Sequence, residues 1–554
     1  MPRRNGVAMG APAVPSSRRG GAVATAGAIV ALVVLPLAPG LLASERLPTG
    51  PAALLGIPVE SLLILLLLVI APWRIPRRVL AGLFGLFVTG ALLLAGIDHG
   101  FRAAVGAPFA LSDWSQLGAA YGVLVDSLGA FLAGLLLVAL IGGILACTVV
   151  LAWAALRVAD VVCRRAAGRI VLAAATAVWL VSALVAPLRV GDPIAAAASI
   201  GSVGSAVART ETVLGAQPTI AREIARDPFA GVPADRLLTG LRGKDVIIAF
   251  VESYGRVALE GDGIEGGVTG VLQAGDASLA AEGYSARSAW LTSPTFGGLS
   301  WLAHATLQTG VWAPTQSAYN QIVASNRLSL ALAFGRAGWR TVSDVPSDNQ
   351  RWGVGRSFYH YGSLLDATNV GYRGPAFGYA LIPDQYTLKH FADTQLTGPH
   401  TPVMAEIDLA SSHTPWTPLS QLVPWDKIGD GSIYDPQPAL SPSATTVWQN
   451  PQTVQRFYGQ SVQYSLGSLF SFLQNVDDPN LVVIVLGDHQ PAEIVSGSGA
   501  SHDVPISIIA RDPAVLAATT DWNWSPGLQP GDTSPVWPMD AFRDRLLTAF
   551  SPTP

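Results

Sequence analysis

The sequence predicts two structural parts in one chain: a bundle of five membrane-spanning helices over residues 21–190, and an α/β domain with a mainly parallel sheet over residues 244–554. Three observations carry this. Half of the 554 residues are hydrophobic and only 13% are charged, a balance that fits a protein part membrane and part globular. The apolar residues crowd into 20–190, whereas the remainder holds the Asp, Asn, Pro, Trp and Tyr of a water-soluble fold. That remainder also alternates short β-rich apolar runs with helical stretches, the pattern of a parallel sheet covered by helices.

Five stretches have the roughly 20 apolar residues that a helix needs to cross a hydrocarbon core: 21–43, 53–72, 78–96, 129–156 and 170–189. Basic residues orient them. Arg3, Arg4, Arg18 and Arg19 precede the first, Arg74, Arg77 and Arg78 separate the second from the third, and Arg157, Arg164, Arg165 and Arg169 separate the fourth from the fifth. The opposite loops carry only Arg46 and Arg102, so residues 1–20 are expected in the cytoplasm and everything after about 190 outside it. The first stretch has the basic start of a signal peptide, but its length and the spans that follow at once argue for a retained helix. Glu60 is either a functional intramembrane charge or a residue near the outer edge facing the bundle.

Residues 191–243 read as a helical connector, because AAAASIGSVGSAVARTETVLG and TIAREIARDPF have helical spacing with charges on one side. Both cysteines, Cys147 and Cys163, lie in or beside hydrophobic segments. The C-terminal part therefore has no disulfide and no cysteine-ligated metal, and depends on its core. A net charge of −4 with cations gathered near the membrane gives no sign of a nucleic-acid partner.

In the α/β part, DVIIAFV (245–251), VMAEIDLA (403–410), LVVIVLG (481–487) and VPISIIA (504–510) are continuous apolar runs of the buried-strand type, and RTVSDV follows a helical segment near 329–338. Ligands in open α/β sheets collect beyond the carboxyl ends of strands. Three such ends carry polar residues: Glu252, then Ser411, Ser412 and His413, then Asp488 and His489. Glu252, Asp488 and His489 offer two carboxylates and an imidazole, a donor set for a hard or borderline divalent cation. The segment 292–301, TSPTFGGLSW, supplies hydroxyls where a Gly-Gly turn enters a helix. Backbone N–H groups there favour an anionic phosphoryl group, and metal coordination would activate a hydroxyl as a nucleophile. Ser293, Thr295 and Ser300 are the candidates.

These residues resemble the lipoteichoic acid synthase and membrane-anchored phosphoglycerol transferase family of the alkaline-phosphatase/sulfatase superfamily. The resemblance rests on V-E-S at Glu252, F-G-G-x-[S/T] ending at Ser300, S-S-H at His413 and G-D-H at Asp488 and His489, with Ser300 lying 48 residues after Glu252. Each motif is common alone; their order and spacing make the set specific. The resemblance implies five spans followed by an extracytoplasmic sulfatase-like domain, which covers essentially the whole chain.

It further implies Ser300 as catalytic nucleophile, with Thr295 as runner-up and Ser293 behind it, and one divalent metal ion on Glu252, Ser300, Asp488 and His489. Manganese is the expected ion, with zinc and magnesium as alternatives. The family usually has Thr in place of Ser300 and an acidic residue four positions on, where this chain has His304. A family segment of W-x-R type places Trp352 and Arg356 on the substrate phosphate, with a longer insertion between them here. His413 is implied to bind the phosphoryl group or act as acid/base, and His502 to stand near the phosphate, a loop histidine being the plainer reading.

The implied activity moves a phosphoglycerol-like group from a phospholipid donor, by way of a covalent phosphoserine, to an envelope glycan or glycerophosphate polymer at the cell membrane. The alternatives are a phosphoethanolamine transferase, a phosphodiesterase using water, and a non-catalytic envelope-assembly pseudoenzyme. Sulfatase chemistry is disfavoured, because a C/S-x-P-x-R signature is absent around Pro294.

Overall fold

The computed structural model describes residues 16–43, 56–71, 73–105, 108–114, 118, 121, 129–185, 195–261 and 263–551. They form two compact units that divide between Thr212 and Val213, with residues 104–107 grouped with the second.

The first unit contains α1 (Ser16–Ala43), α2 (Val59–Ile70), α3 (Arg74–Val105), α4 (Ala130–Arg164) and α5 (Ala166–Val185). All but α2 are long and apolar enough to cross a membrane. Of the expected second span, 53–72, the structure shows a helix of 12 residues, about 18 Å long; residues 53–55 and 72 of that span, and 186–189 of the fifth, lie outside the described set. Prolines bracket α2. Pro58 stands immediately before it, and Pro72 drives Ala71 out of the helical region, to ψ 117°.

Side-chain contacts define the two ends of this bundle. At one end Arg77 pairs with Asp160 at 2.9 Å and Arg157 donates to the Gly21 carbonyl at 3.1 Å. At the other, β1 (Ile57–Pro58) pairs in parallel with β2 (Ala195–Ala196), and Ser199 donates to the Pro36 carbonyl at 3.0 Å. Strand β1 precedes α2 and β2 follows α5, so an even number of traverses separates them. Glu60 is buried, and its Oε1 accepts a hydrogen bond from the Ile200 N–H at 3.0 Å. That contact caps the first turn of α6 (Ala198–Ala225), the edge-facing alternative of the two readings. Asp98, which sequence patterning did not single out, is buried between Arg102 and Arg209, each at 3.1 Å.

The second unit is built on a nine-stranded sheet of order β10-β4-β9-β8-β3-β7-β5-β6, with β11 also paired to β4. Its strands are β3 (Asp245–Val251), β4 (Ser285–Thr292), β5 (Arg340–Val345), β6 (Ser363–Asp366), β7 (Val403–Leu409), β8 (Leu481–Gly487), β9 (Asp503–Ala510), β10 (Ser525–Pro526) and β11 (Val536–Pro538). β8, β3, β7, β5 and β6 are mutually parallel, whereas β9 runs antiparallel to both β8 and β4. Alternate residues of β3 serve opposite cores: Val246, Ile248 and Phe250 join one, Ile247, Ala249 and Val251 the other. This is why the run is apolar without a break, since both faces are covered. The long helices α7 (Glu265–Ala281) and α10 (Pro451–Asn475), with α9 (Asp384–Gln395) between them in sequence, lie on the second face. The first face holds α8 (Ser300–Thr309) and α11 (Ala541–Phe550).

Gly487 closes β8 where a Cβ would stand 1.9 Å from the Tyr254 carbonyl oxygen. Only glycine lets the β3 and β8 ends approach so closely.

Asp344 on β5 is buried, neither of its oxygens is hydrogen-bonded, and burial followed by repulsion from Asp408 and Asp366 pushes its carboxyl up to about 8. Between roughly pH 4 and 8 the folded chain holds this proton and the unfolded chain does not. Stability therefore falls as pH rises across that window, by about 1.4 kcal/mol per unit. Asp344→Asn is expected to leave the melting temperature unchanged near pH 4 and to raise it by several degrees near pH 8. Thermal unfolding of the full chain in detergent checks this, and an equal gap at both pH values would refute the assignment.

Candidate active site

Three strand ends and one helix start converge beyond the carboxyl edge of the sheet. Glu252 follows β3, and its N–H bonds to the Leu409 carbonyl at 3.1 Å, locking it to β7. Ser253 then takes a left-handed conformation, φ 56°. From there its N–H donates to Asp488 Oδ1 at 2.7 Å and its hydroxyl to Glu252 Oε1 at 2.8 Å. Such a backbone costs on the order of 1 kcal/mol or more and persists only where surrounding bonds over-determine it. The Phe296-Gly297-Gly298-Leu299 turn does the same on the helix side: Gly297 has φ 72° and Leu299 φ 66°, and Ser300 opens α8.

The hydroxyl of Ser300 lies 3.0 Å from Glu252 Oε2 and 3.2 Å from His489 Nε2. His489 Nε2 is in turn 3.4 Å from Asp488 Oδ2 and 3.6 Å from Glu252 Oε1. The other ring nitrogen, Nδ1, is 2.8 Å from the Gln490 carbonyl. A carbonyl only accepts, so Nδ1 carries the hydrogen and the Nε2 lone pair points at the cluster. Asp488 is fully buried: Oδ1 takes two backbone N–H bonds at 2.7 Å, and Oδ2 has no partner. Burial, then repulsion from Glu252, raises the Asp488 carboxyl to about 6. A buried carboxylate oxygen without a donor, facing an imidazole lone pair and a second carboxylate, fits a divalent cation. Glu252, Asp488 and His489 place one ligand atom each within 4.8 Å of one another.

The other expected site residues fall in different places. Thr295 is buried, with its hydroxyl 3.4 Å from that of Ser293, and Ser293 donates to the Asp488 carbonyl at 2.6 Å. Both hydroxyls thus support the Asp488 loop and make no bond to Glu252 or His489 side chains. His413 follows β7, stacked on Tyr379 with ring centres 3.7 Å apart and Nδ1 2.5 Å from the Thr414 carbonyl. Burial pulls its pKa down to about 4, so the ring is neutral. His502 sits behind the turn, Nδ1 3.2 Å from the Ser293 carbonyl. Arg356 spends its Nη1 on the carbonyls of Gly362 and Tyr361, at 2.8 and 3.4 Å. With Trp352 it lines a cleft of about 480 Å³ at the ends of β5 and β6, together with Asp348, Arg351, Asp366 and Asn369. Neither residue is joined by a hydrogen bond or ring contact to Ser300, Glu252, Asp488 or His489.

Beside the cluster lies a second one that the sequence reading missed. His304 Nδ1 is 3.0 Å from Glu406 Oε1 and 3.6 Å from Asp408 Oδ1, and the ring stacks on Phe250 at 3.7 Å and 12°. Burial alone would lower the His304 pKa, but Asp408 and Glu406 outweigh it and raise it to about 9. The available signal was a pair of carboxylates two apart inside the apolar β7 run, which puts both on one face.

No protein-family profile and no curated protein sequence matches the chain. Among solved structures, the integral membrane lipooligosaccharide phosphoethanolamine transferase A of Neisseria meningitidis is similar at 12% identity, covering 95% of each chain with a TM-score of 0.43. The lipoteichoic acid synthase LtaP of Listeria monocytogenes is similar at 15% identity over 53% of this chain and 71% of that one, TM-score 0.33. The Streptococcus pyogenes phosphoglycerol transferase GacH, solved with sn-glycerol-1-phosphate, is similar at 12% identity over 61% of this chain and 90% of that one, TM-score 0.33.

Proposed function

We propose that this chain is a membrane-anchored, metal-dependent phosphotransferase that moves a phosphoglycerol-like group from a phospholipid to an envelope glycan or glycerophosphate polymer. The observation that carries the reading is the Ser300 hydroxyl, held at 3.0 Å from Glu252 and 3.2 Å from His489 beside the donor set of Glu252, Asp488 and His489. Glu252, Asp488, His489 and Ser300 would hold one divalent ion, manganese, zinc or magnesium. When bound, it lowers the pKa of the serine hydroxyl and offsets charge on the phosphoryl oxygens.

Ser300 Oγ attacks the phosphorus of the lipid phosphodiester. The bond from phosphorus to the lipid oxygen breaks, and diacylglycerol leaves with a proton. Glu252 lies within reach of the proton released by Ser300. In the second half the acceptor oxygen bonds to phosphorus, the Ser300 Oγ–phosphorus bond breaks, and Oγ regains a proton equivalent to the one the acceptor hydroxyl gives up, with Glu252 in reach. His413 is neutral, and its Nδ1 hydrogen is committed to the Thr414 carbonyl. Its Nε2 lone pair is thus left to accept a hydrogen bond from the acceptor hydroxyl and orient it. Ser300 at the first position of α8 adds backbone N–H groups and the positive helix end for the phosphoryl oxygens. In this reading Trp352 and Arg356 serve the substrate from the neighbouring cleft.

The basic loops, expected in the cytoplasm, support a catalytic part on the far side of the membrane, and the β1–β2 pairing, which joins residues 57–58 to 195–196, is compatible with it.

Incubating metal-loaded full-length protein with phosphatidylglycerol or phosphatidylethanolamine, each labelled in its head group, and mapping the adduct by mass spectrometry tests the reading. A phosphoglycerol adduct on Ser300 is expected. A phosphoethanolamine adduct would reassign the donor, and no adduct from either lipid would defeat the proposal.

A further inference from the structure

We propose that His304, Glu406 and Asp408 form a second divalent-cation site, separate from the set around Glu252 and sharing no ligand with it. The proposal is independent of the transfer chemistry.

The geometry is that of ligands around one point. His304 Nδ1 lies 3.0 Å from Glu406 Oε1 and 3.6 Å from Asp408 Oδ1. Metal–ligand bonds of about 2.1 Å set neighbouring donors about 3.0–3.5 Å apart. Two of the three donors, Glu406 and His304, are also held from behind, as ligands commonly are. The second oxygen of Glu406 accepts from the Tyr361 hydroxyl at 3.0 Å and from the Gln308 amide. Gln308 is itself fixed by the Ala331 N–H at 3.0 Å. The His304 ring is clamped flat on Phe250.

An ion pair between His304 and Glu406 is the competing arrangement, and it leaves one atom unexplained. Asp408 Oδ1 is shielded from solvent, has no hydrogen-bond partner, and faces the same point. Charge argues the same way. Glu252, Asp488, Glu406 and Asp408 influence one another electrostatically, and the imidazoles of His304 and His489 lie against them. One divalent ion at the Glu252 set leaves Glu406 and Asp408 with a single imidazole between them. The mixed nitrogen and carboxylate donors suit Mn²⁺ or Zn²⁺ better than Ca²⁺. His304 stands one turn from Ser300 on α8, about 6 Å along the axis. A cation there would add positive potential beneath the serine.

The test is metal content. Full-length protein in detergent, stripped with a chelator and dialysed against Mn²⁺ alone, is expected to hold about two ions per chain. H304Q/D408N is expected to hold about one, and Asp488→Ala also about one, retained on the second set. Anomalous diffraction from Mn²⁺-soaked wild-type crystals should show a peak beside His304 Nδ1. A single ion in wild type, unchanged in H304Q/D408N, overturns the proposal. Should that variant not fold, a wild-type map with density at the Glu252 set and none beside His304 overturns it equally.

Discussion

Ser300→Ala is expected to lower the transfer rate by at least about 10³-fold, on the order of 4 kcal/mol of barrier, while leaving the melting temperature within about a degree of the parent. The asymmetry follows from the site. The Ser300 hydroxyl opens α8 from a half-buried position, and its partners there are Glu252 and His489. Removing the hydroxyl empties no core space, and it relieves two groups that are better served by a cation. Ser300→Thr keeps a hydroxyl and is expected to retain part of the activity. Thr295→Ala, by contrast, removes a buried group behind the Asp488 loop. Its effect should appear as lowered stability more than as lost chemistry. Head-group transfer by purified variants, with thermal unfolding alongside, separates these outcomes. Full activity in Ser300→Ala together with none in Thr295→Ala would move the nucleophile.

Asp488→Ala is expected to strip the ion from the Glu252 set and to lose activity as completely as Ser300→Ala. Two effects are superposed in it, and the structure shows how to part them. Oδ2 is the unpartnered oxygen that the proposed ion would take, while Oδ1 tethers the N–H groups of Ser253 and His489, the first of which sits on left-handed backbone. Alanine deletes both. Asparagine keeps an acceptor for the two N–H groups and removes the charge. Asp488→Asn should therefore fold as well as the parent without metal, or better, because the native carboxyl is buried against Glu252 and raised to about 6. Metal analysis and melting with and without added Mn²⁺ would show it. Parental metal content in Asp488→Asn would refute the site.

How far the sequence could be read depended on what each residue type must do. The runs that became β3 and β8 were unbroken because both their faces are covered, and the polar residues ending them marked the reactive edge of the sheet before any fold was known. An apolar run carries no direction, however, so 504–510 was legible as a strand but not as one antiparallel to its neighbours. β4 was invisible, since SARSAWLT begins exposed and ends buried. The resemblance alone put Ser300 ahead of Thr295; what no spacing rule encodes is the left-handed Leu299 that opens α8 with the Ser300 hydroxyl 3.0 Å from Glu252. Arg356 has the right chemistry for phosphate, and what its sequence position could not show is that Nη1 is tied to the carbonyls of Tyr361 and Gly362. His304 stood out only as a departure from the family pattern; Glu406, which binds it, is contributed from about a hundred residues away, beyond any local reading.

The short parallel pairing of Ile57–Pro58 with Ala195–Ala196 imposes an order on synthesis. Ile57 leaves the ribosome long before its partner does, and the four helices between them must be laid down in turn before the two strands can meet. Until then the α2 segment, too short to be secure alone, waits on one side with its β1 edge unpaired. Closing so distant a contact is slow relative to local helix formation, so it comes last. The strand pair can therefore close only after all four intervening helices have been made.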